Sequence, residues 1–339
     1  MVYFLSLIFP LSVLLGVFAD KDLIFAPVII FTVIVPLLDA LTARLQWGYW
    51  SKTSARVADS VLGLWAVLFP AAVLSGGWYV SQHGLFNLYG IGLALSVGFT
   101  GSVAIVAGHD LIHSSSPKKR FLGYGILLNV FYMHFGILHR IGHHRHVATP
   151  RDHSTAWRGE SVYRYILRTM VFGYIDCWKL EFKRLAKKGQ RKLGLHNRIL
   201  LFAVLQLAAL LFCSLAFGIE SGIFFLLESL VAVTILEVVS YLQHYGILRN
   251  LDSQGKFEIL RAYHSWESNK IASCVLFLNI PLHSSHHDDA RSRFSELTPN
   301  SEAMQLPFSY PVMIQLSFVP YAWRRVMHPI LDDRFKDAS

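Results

Sequence analysis

Charge is what this sequence has least of. Only 16% of its 339 residues are Asp, Glu, Lys or Arg, and 53% are hydrophobic, whereas soluble domains carry roughly a quarter charged. Mean hydropathy is +0.42. A water-soluble globular domain is thereby excluded. No charged residue occurs in the first nineteen positions, and none from Ser60 to His109, a run long enough for two spans at about 20 residues each. These runs are continuously apolar instead of alternating, which excludes a porin-like barrel. Cysteine is also scarce. Cys177, Cys213 and Cys274 have no metal-ligand spacing and are too few for a disulfide framework. No G-x-G-x-x-G follows a candidate strand, so no flavin or nicotinamide site is indicated. Internal repeats, low-complexity tracts and linkers are absent as well, and residues 1–339 read as one membrane domain.

Uncharged runs and their breakers predict an all-α bundle of six spans near 2–19, 22–42, 59–80, 85–108, 199–218 and 221–244. The Gly-Gly and Ser-Gln-His-Gly stretch between the third and fourth supplies a turn. Without a basic region before the first run or a clear cleavage site after it, residues 1–19 are expected to be retained as a span. The apolar segment 121–138 is too short and too closely flanked by polar motifs to cross, and is expected to be a buried or re-entrant helix. Basic residues then fall almost wholly on one face. Loop 43–58 has three (Arg44, Lys52, Arg56), segment 109–120 three, segment 139–198 fourteen and the tail after Tyr245 ten, against Lys21 alone opposite. By the positive-inside rule both termini and segments 109–198 and 245–339 are expected to be cytoplasmic. Segment 139–198 has only four acidic residues (Asp152, Glu160, Asp176, Glu181), so it is suited to anionic lipid headgroups or to an acidic soluble partner. Nucleic acid is a poor third.

Histidine is abundant and clustered. Of sixteen, His109 and His113 in GHDLIH are four apart, and His139, His143 and His144 in HRIGHH repeat that spacing with one extra. His283, His286 and His287 lie in HSSHH, and His244 ends the sixth span. Residues four apart on a helix share a side, so each cluster presents imidazoles together at the cytoplasmic edge. Isolated His83, His196 and His328 are expected to be structural, His134 to be packing, and His146 and His153 to be bystanders. Imidazole suits iron, copper, zinc and nickel. Zinc catalysis uses about three protein ligands, which leaves six histidines without a role, so two ions are expected. A metal transporter, the non-enzyme alternative, would place ionisable groups near the bilayer midplane, not along one edge.

H-x3-H, H-x3-HH and H-x2-HH among membrane spans resemble the integral-membrane di-iron desaturases and hydroxylases. GHHRHVATPRDHSTAWRGESVYRY, SYLQHYGILR, YHSWESNKIASCVLF and PLLDA are similar to stretches of the membrane alkane monooxygenase family. The resemblance runs from about residue 25 to 330. It implies nine iron ligands, which are also the catalytic residues: His109, His113, His139, His143, His144, His244, His283, His286 and His287. His146 and His153 have no matching family position. Ligating rings need an acceptor for their second N–H. Asp110 beside His109, Glu237 seven residues before His244, and His264 in the matched HSW motif are candidates for that outer role. Asp39 is either a polar cap or part of a substrate path. Phe31 is expected about 12 Å deeper at 1.5 Å per residue, where the family carries a bulky tunnel floor.

The implied activity is O2-dependent hydroxylation of the terminal carbon of an alkane or alkyl chain. Two electrons come from an external donor, in the family an acidic rubredoxin with its reductase, which would suit the basic segment. Leu138 and Gln243 replace the family's usual Glu, and Ile280-Pro281-Leu282 its usual Gln-Arg. These departures leave fatty-acid desaturation or decarboxylation, and hydroxylation of aromatic methyl groups, as alternatives.

Overall fold

The computed structural model describes residues 1–45 and 53–335; Lys52 and Lys336 of the basic face lie outside the described residues. Five described helices are long and apolar enough to cross a membrane, not six. They are α2 (Lys21–Leu41), α3 (Ala55–His83), α4 (Leu88–His113), α8 (Arg198–Phe217) and α9 (Ile219–His244). The run expected as the first span forms α1 (Val2–Phe18). It starts as a 3-10 turn and is shorter than these five. It still packs inward, with the Trp65 indole donating to Ser6 Oγ at 2.9 Å.

The boundaries follow from caps. Asn87 accepts from the amides of Tyr89 and Gly90 at 3.0 Å to open α4, and Asn197 does the same for Ile199 and Leu200 of α8. Each side chain satisfies two of the four amides a helix start leaves unpaired. The Gly-Gly expected to turn the chain lies inside α3 instead. A Cβ on Gly76 would sit 2.4 Å from the Phe224 ring, so the glycine serves close packing. The turn comes at Gly84, whose φ of +79° favours glycine.

α4 is the central helix, and it runs on past the expected end at 108 to carry His109 and His113. Gly98 lets it approach α9 so closely that an added Cβ would meet the Val231 Cβ at 2.5 Å. In lipid such small-residue contacts are a main source of helix association. Segment 121–138 is only partly the helix expected: α5 (Pro117–Leu128) ends at Leu128, and Phe131, at φ +51°, reverses the chain. There follow α6 (Phe135–Ile137), a π-turn over Leu138–His143 and a final turn, His144–His146. The basic helix α7 (Val162–Lys187) lies beside them. Beyond α9 come β1 (Trp266–Glu267), α10 (Ile271–Leu276), α11 (His283–Asp288), β2 (Met304–Gln305), α12 (Tyr310–Ser317) and α13 (Pro320–Phe335). β1 and β2 pair in parallel.

α2 is irregular near its middle. Pro36 has no N–H to give the Thr32 carbonyl, which instead accepts from Gln315 of α12 at 3.1 Å. A π-turn over Ile30–Ile34 brackets Phe31, with the Val35 amide donating to Ile30.

Candidate metal centre

Four separate pieces of backbone bring the nine clustered histidines together at the ends of α4 and α9. They form two groups, each with ring nitrogens within 4.8 Å of one another. One holds His109, His113, His139, His144 and His286; the other holds His143, His244, His283 and His287. The expectation that His139 and His143 share a side is corrected. The His144 amide donates to the His139 carbonyl, a five-residue turn, so His139 and His144 face one group while His143 faces the other. π-turns of this kind are frequent at functional sites.

The ring nitrogens converge. His109 and His139 Nε2 stand 2.7 Å apart, His139 and His144 3.0 Å, His286 and His144 3.2 Å. In the second group His283 and His287 Nε2 are 2.8 Å apart, and His283 and His244 3.1 Å. With metal–nitrogen distances of about 2.0–2.1 Å, two nitrogens at a right angle about one ion stand roughly 2.9 Å apart. His113 Nε2 is buried with no hydrogen-bond partner. The Nδ1 atoms of His244, His283 and His287 are likewise buried without a partner, and converging imidazoles with an unpartnered nitrogen such as His113 Nε2 suit metal ions. Burial first, and then crowding by neighbouring imidazoles, drives His139, His283 and His287 well below the usual histidine range. The rings are therefore neutral and their lone pairs are available to a cation.

The surrounding acids divide differently from expectation. Asp152, nine residues past His143, accepts from its Nδ1 at 2.8 Å, with both side chains almost fully buried. Burial opposes ionisation there, but the interaction with His143 outweighs it and holds the carboxyl below its ordinary value. Asp110 does not reach a ring nitrogen; its Oδ2 accepts from the Phe294 amide at 2.5 Å. Glu237 accepts from Tyr132 Oη at 2.7 Å. His264 reaches none of the nine, since its Nδ1 accepts from the Arg261 amide and its Nε2 faces Glu258. Asp39 accepts from both the amide and the hydroxyl of Ser273, so it caps α10. Glu267, buried in the YHSWE motif, takes the Ser284 hydroxyl and the Asn300 amide, and so anchors α11 under its three histidines. No spacing rule exposes Asp152 or Glu267, because turns bring them in.

Among the others, His134 lies edge-on between Tyr132 and Tyr174, and His83 stacks on Tyr79. His328 meets Tyr245 Oη at 2.9 Å, and His153 pairs with Asp176 at 2.6 Å. Gln243 donates to Tyr310 Oη and to the Ile280 carbonyl.

A chamber reaches both histidine groups, since His109, His139, His143, His244 and His283 all line it. A second, largely apolar cavity shares Val106, Leu236, Val239 and Ile280 with it and is lined by Phe31 and Phe277. Asp39 lines neither.

A helical membrane bundle carrying a nine-imidazole centre beside a largely apolar chamber defines a class of integral-membrane metalloprotein. Residues 85–317 match the fatty acid desaturase family. The chain is 33% identical to alkane 1-monooxygenase 1 of Pseudomonas aeruginosa, over 87% of this chain and 79% of that one. It is 34% identical to alkane 1-monooxygenase 2 of Alcanivorax borkumensis, over 79% and 73% of the two chains. With the xylene/toluene monooxygenase hydroxylase component XylM of Pseudomonas putida it shares 30% identity over 68% and 62%. The chain belongs to the fatty acid desaturase family, and within it resembles the membrane alkane monooxygenases.

Proposed function

We propose that this protein is a membrane di-iron monooxygenase that hydroxylates the terminal carbon of an alkane or alkyl chain. The observation that carries the reading is a chamber whose wall holds histidines of both groups and whose neighbour ends in apolar side chains at Phe31. The nine histidines would hold two irons, which when bound supply activation of O2. The chain's own residues do the rest. Val106, Leu236, Val239 and Ile280 guide an alkyl chain end-on between the chambers, Phe31 limits its reach, and burial keeps bulk water from the reacting carbon. Asp152 fixes the His143 ring.

The overall change is RH + O2 + two electrons + two protons giving ROH + H2O. Electrons enter from an acidic donor of the rubredoxin type. A surface groove of about 1010 Å³ lined by Arg145, Arg151, Lys183 and Lys187 offers it a complementary docking face. That face and both termini are cytoplasmic, in a bacterial inner membrane. The test is product analysis: iron-loaded protein in detergent with reduced donor is offered alkanes, alkylbenzenes and fatty acids. Terminal alcohols from alkanes are expected; alkenes or shortened chains would contradict hydroxylation.

A further inference from the structure

The chamber beside the histidines has a side that an alkane does not need. Away from Phe31 its wall carries His153, Ser154, Thr169, Glu237 and Ser240. Tyr132 hydrogen-bonds Glu237 at 2.7 Å, and Tyr165 Oη bridges the Ser154 carbonyl and Ser240 Oγ at 3.1 and 2.9 Å. These hydrogen bonds offset the cost of placing polar groups beside hydrocarbon, and an ionisable group this deep in a membrane protein marks function by default.

His153 stands where this polar wall meets the outside. With Leu138 and His143 it lines both the inner chamber and an open surface groove that Asp152, Asp176, Lys179 and Lys183 share. Its Nε2 is held by Asp176 at 2.6 Å, and Asp176 in turn by Lys179 at 2.7 Å. His153 and Asp176 side chains are only about a quarter exposed, at 26% and 27%. The pair is thus part of the partition between chamber and groove.

Turning O2 into one alcohol and one water consumes two protons, and the arm toward Phe31 offers only the hydroxyls of Ser102, which donates to the Phe99 carbonyl, and Tyr310, which accepts from Gln243. We infer that the His153–Asp176 pair closes a second, polar mouth of the chamber, through which water and those two protons enter from the groove along the Ser154–Ser240–Glu237 wall. Imidazole accepts a proton on one ring nitrogen and releases one from the other, which suits it to this position. The electrons still come from the external donor protein, and no bond to His153 forms or breaks beyond N–H. The inference rests on the monooxygenase reading for the purpose of the mouth, not for its existence.

Two measurements separate these. Ser240→Cys places a thiol on the inner wall, while the three natural cysteines are buried. A small charged thiosulfonate should label it about tenfold faster in the presence of His153→Gly than with His153 intact. Equal rates would overturn the mouth. In turnover, His153→Gly with unchanged metal content should lower kcat about tenfold or more, leave KM for alkane unchanged, and recover with added imidazole. An undiminished kcat, or a loss that imidazole does not repair, would overturn the proton role. Faster labelling in a protein that makes no terminal alcohol even with His153 would support the mouth and sink the monooxygenase reading alone.

Discussion

Asp152→Asn probes how the four-histidine group is held. The carboxylate accepts from His143 Nδ1 at 2.8 Å, and the two side chains are 4% and 3% exposed. Its other oxygen accepts from the Ser154 amide at 3.0 Å, a bond that asparagine can keep. Shape and turn therefore survive, but the amide NH2 then faces the His143 Nδ1–H, so the ring loses both the charge and its acceptor. Hydrogen bonds to a charged group contribute about 1.5–3 kcal/mol, so the substitution costs at least about 1.5 kcal/mol. At 1.4 kcal/mol per decade that is at least about tenfold in the affinity of the ion beside His143, within the 10–100-fold range for such outer partners. The assay is retention of metal in detergent against a graded chelator. One of two ions should leave at least at about tenfold lower chelator, with the second hardly changed, because Asp152 touches only one group. An unaltered titration, or equal weakening of both ions, would refute this assignment.

Phe31→Leu should extend the preferred chain length at a stability cost of about 1 kcal/mol. Phe31→Ala should do so at about 3–5 kcal/mol, because Phe31 packs against Phe99 and Phe277 at 5.0 and 4.8 Å. An unchanged product profile across a chain-length series would return Phe31 to packing alone. Lys183→Glu with Lys187→Glu should slow electron delivery from an acidic donor and flatten its salt dependence; identical stopped-flow rates at all ionic strengths would favour a lipid-contact role. Glu181 is buried, which pushes its carboxyl up, but hydrogen bonds from Arg184 and Arg198 outweigh that and hold it at about 2, below the ordinary 4.5. Its contribution is thus complete above pH 4.5 and lost as pH falls toward 2. Glu181→Gln should lower thermal stability at pH 7 by about 1–3 kcal/mol, discounted for partly exposed arginines, and much less near pH 2; an equal deficit at both would contradict the ion-pair account.

The histidines were legible because metal ligation imposes short spacings that packing does not, and low charge with long apolar runs made the membrane bundle plain. Three things were hidden, each for a physical reason. A π-turn does not follow from periodicity, so the partition of His139, His143 and His144 between two groups could not be read from a 3.6-residue period. Asp152 and Glu267 reach the centre through turns and a two-residue strand, which leave no repeat in the sequence. Asp110 and His264, adjacent to motif positions, point their polar atoms at the backbone of Phe294 and Arg261 instead; neighbourhood in sequence fixes neither direction nor partner. The first apolar run forms a helix over almost the expected stretch, Val2–Phe18, and five longer described helices are long and apolar enough to cross.

The measurement closest to the central claim is the metal content of the purified protein in detergent, beside variants of one histidine from each group. Two irons per chain are expected in the natural sequence, with His286→Ala and His244→Ala each losing iron and turnover while remaining in the membrane. One zinc per chain without iron, or full activity in either variant, would contradict a di-iron centre built from these nine imidazoles.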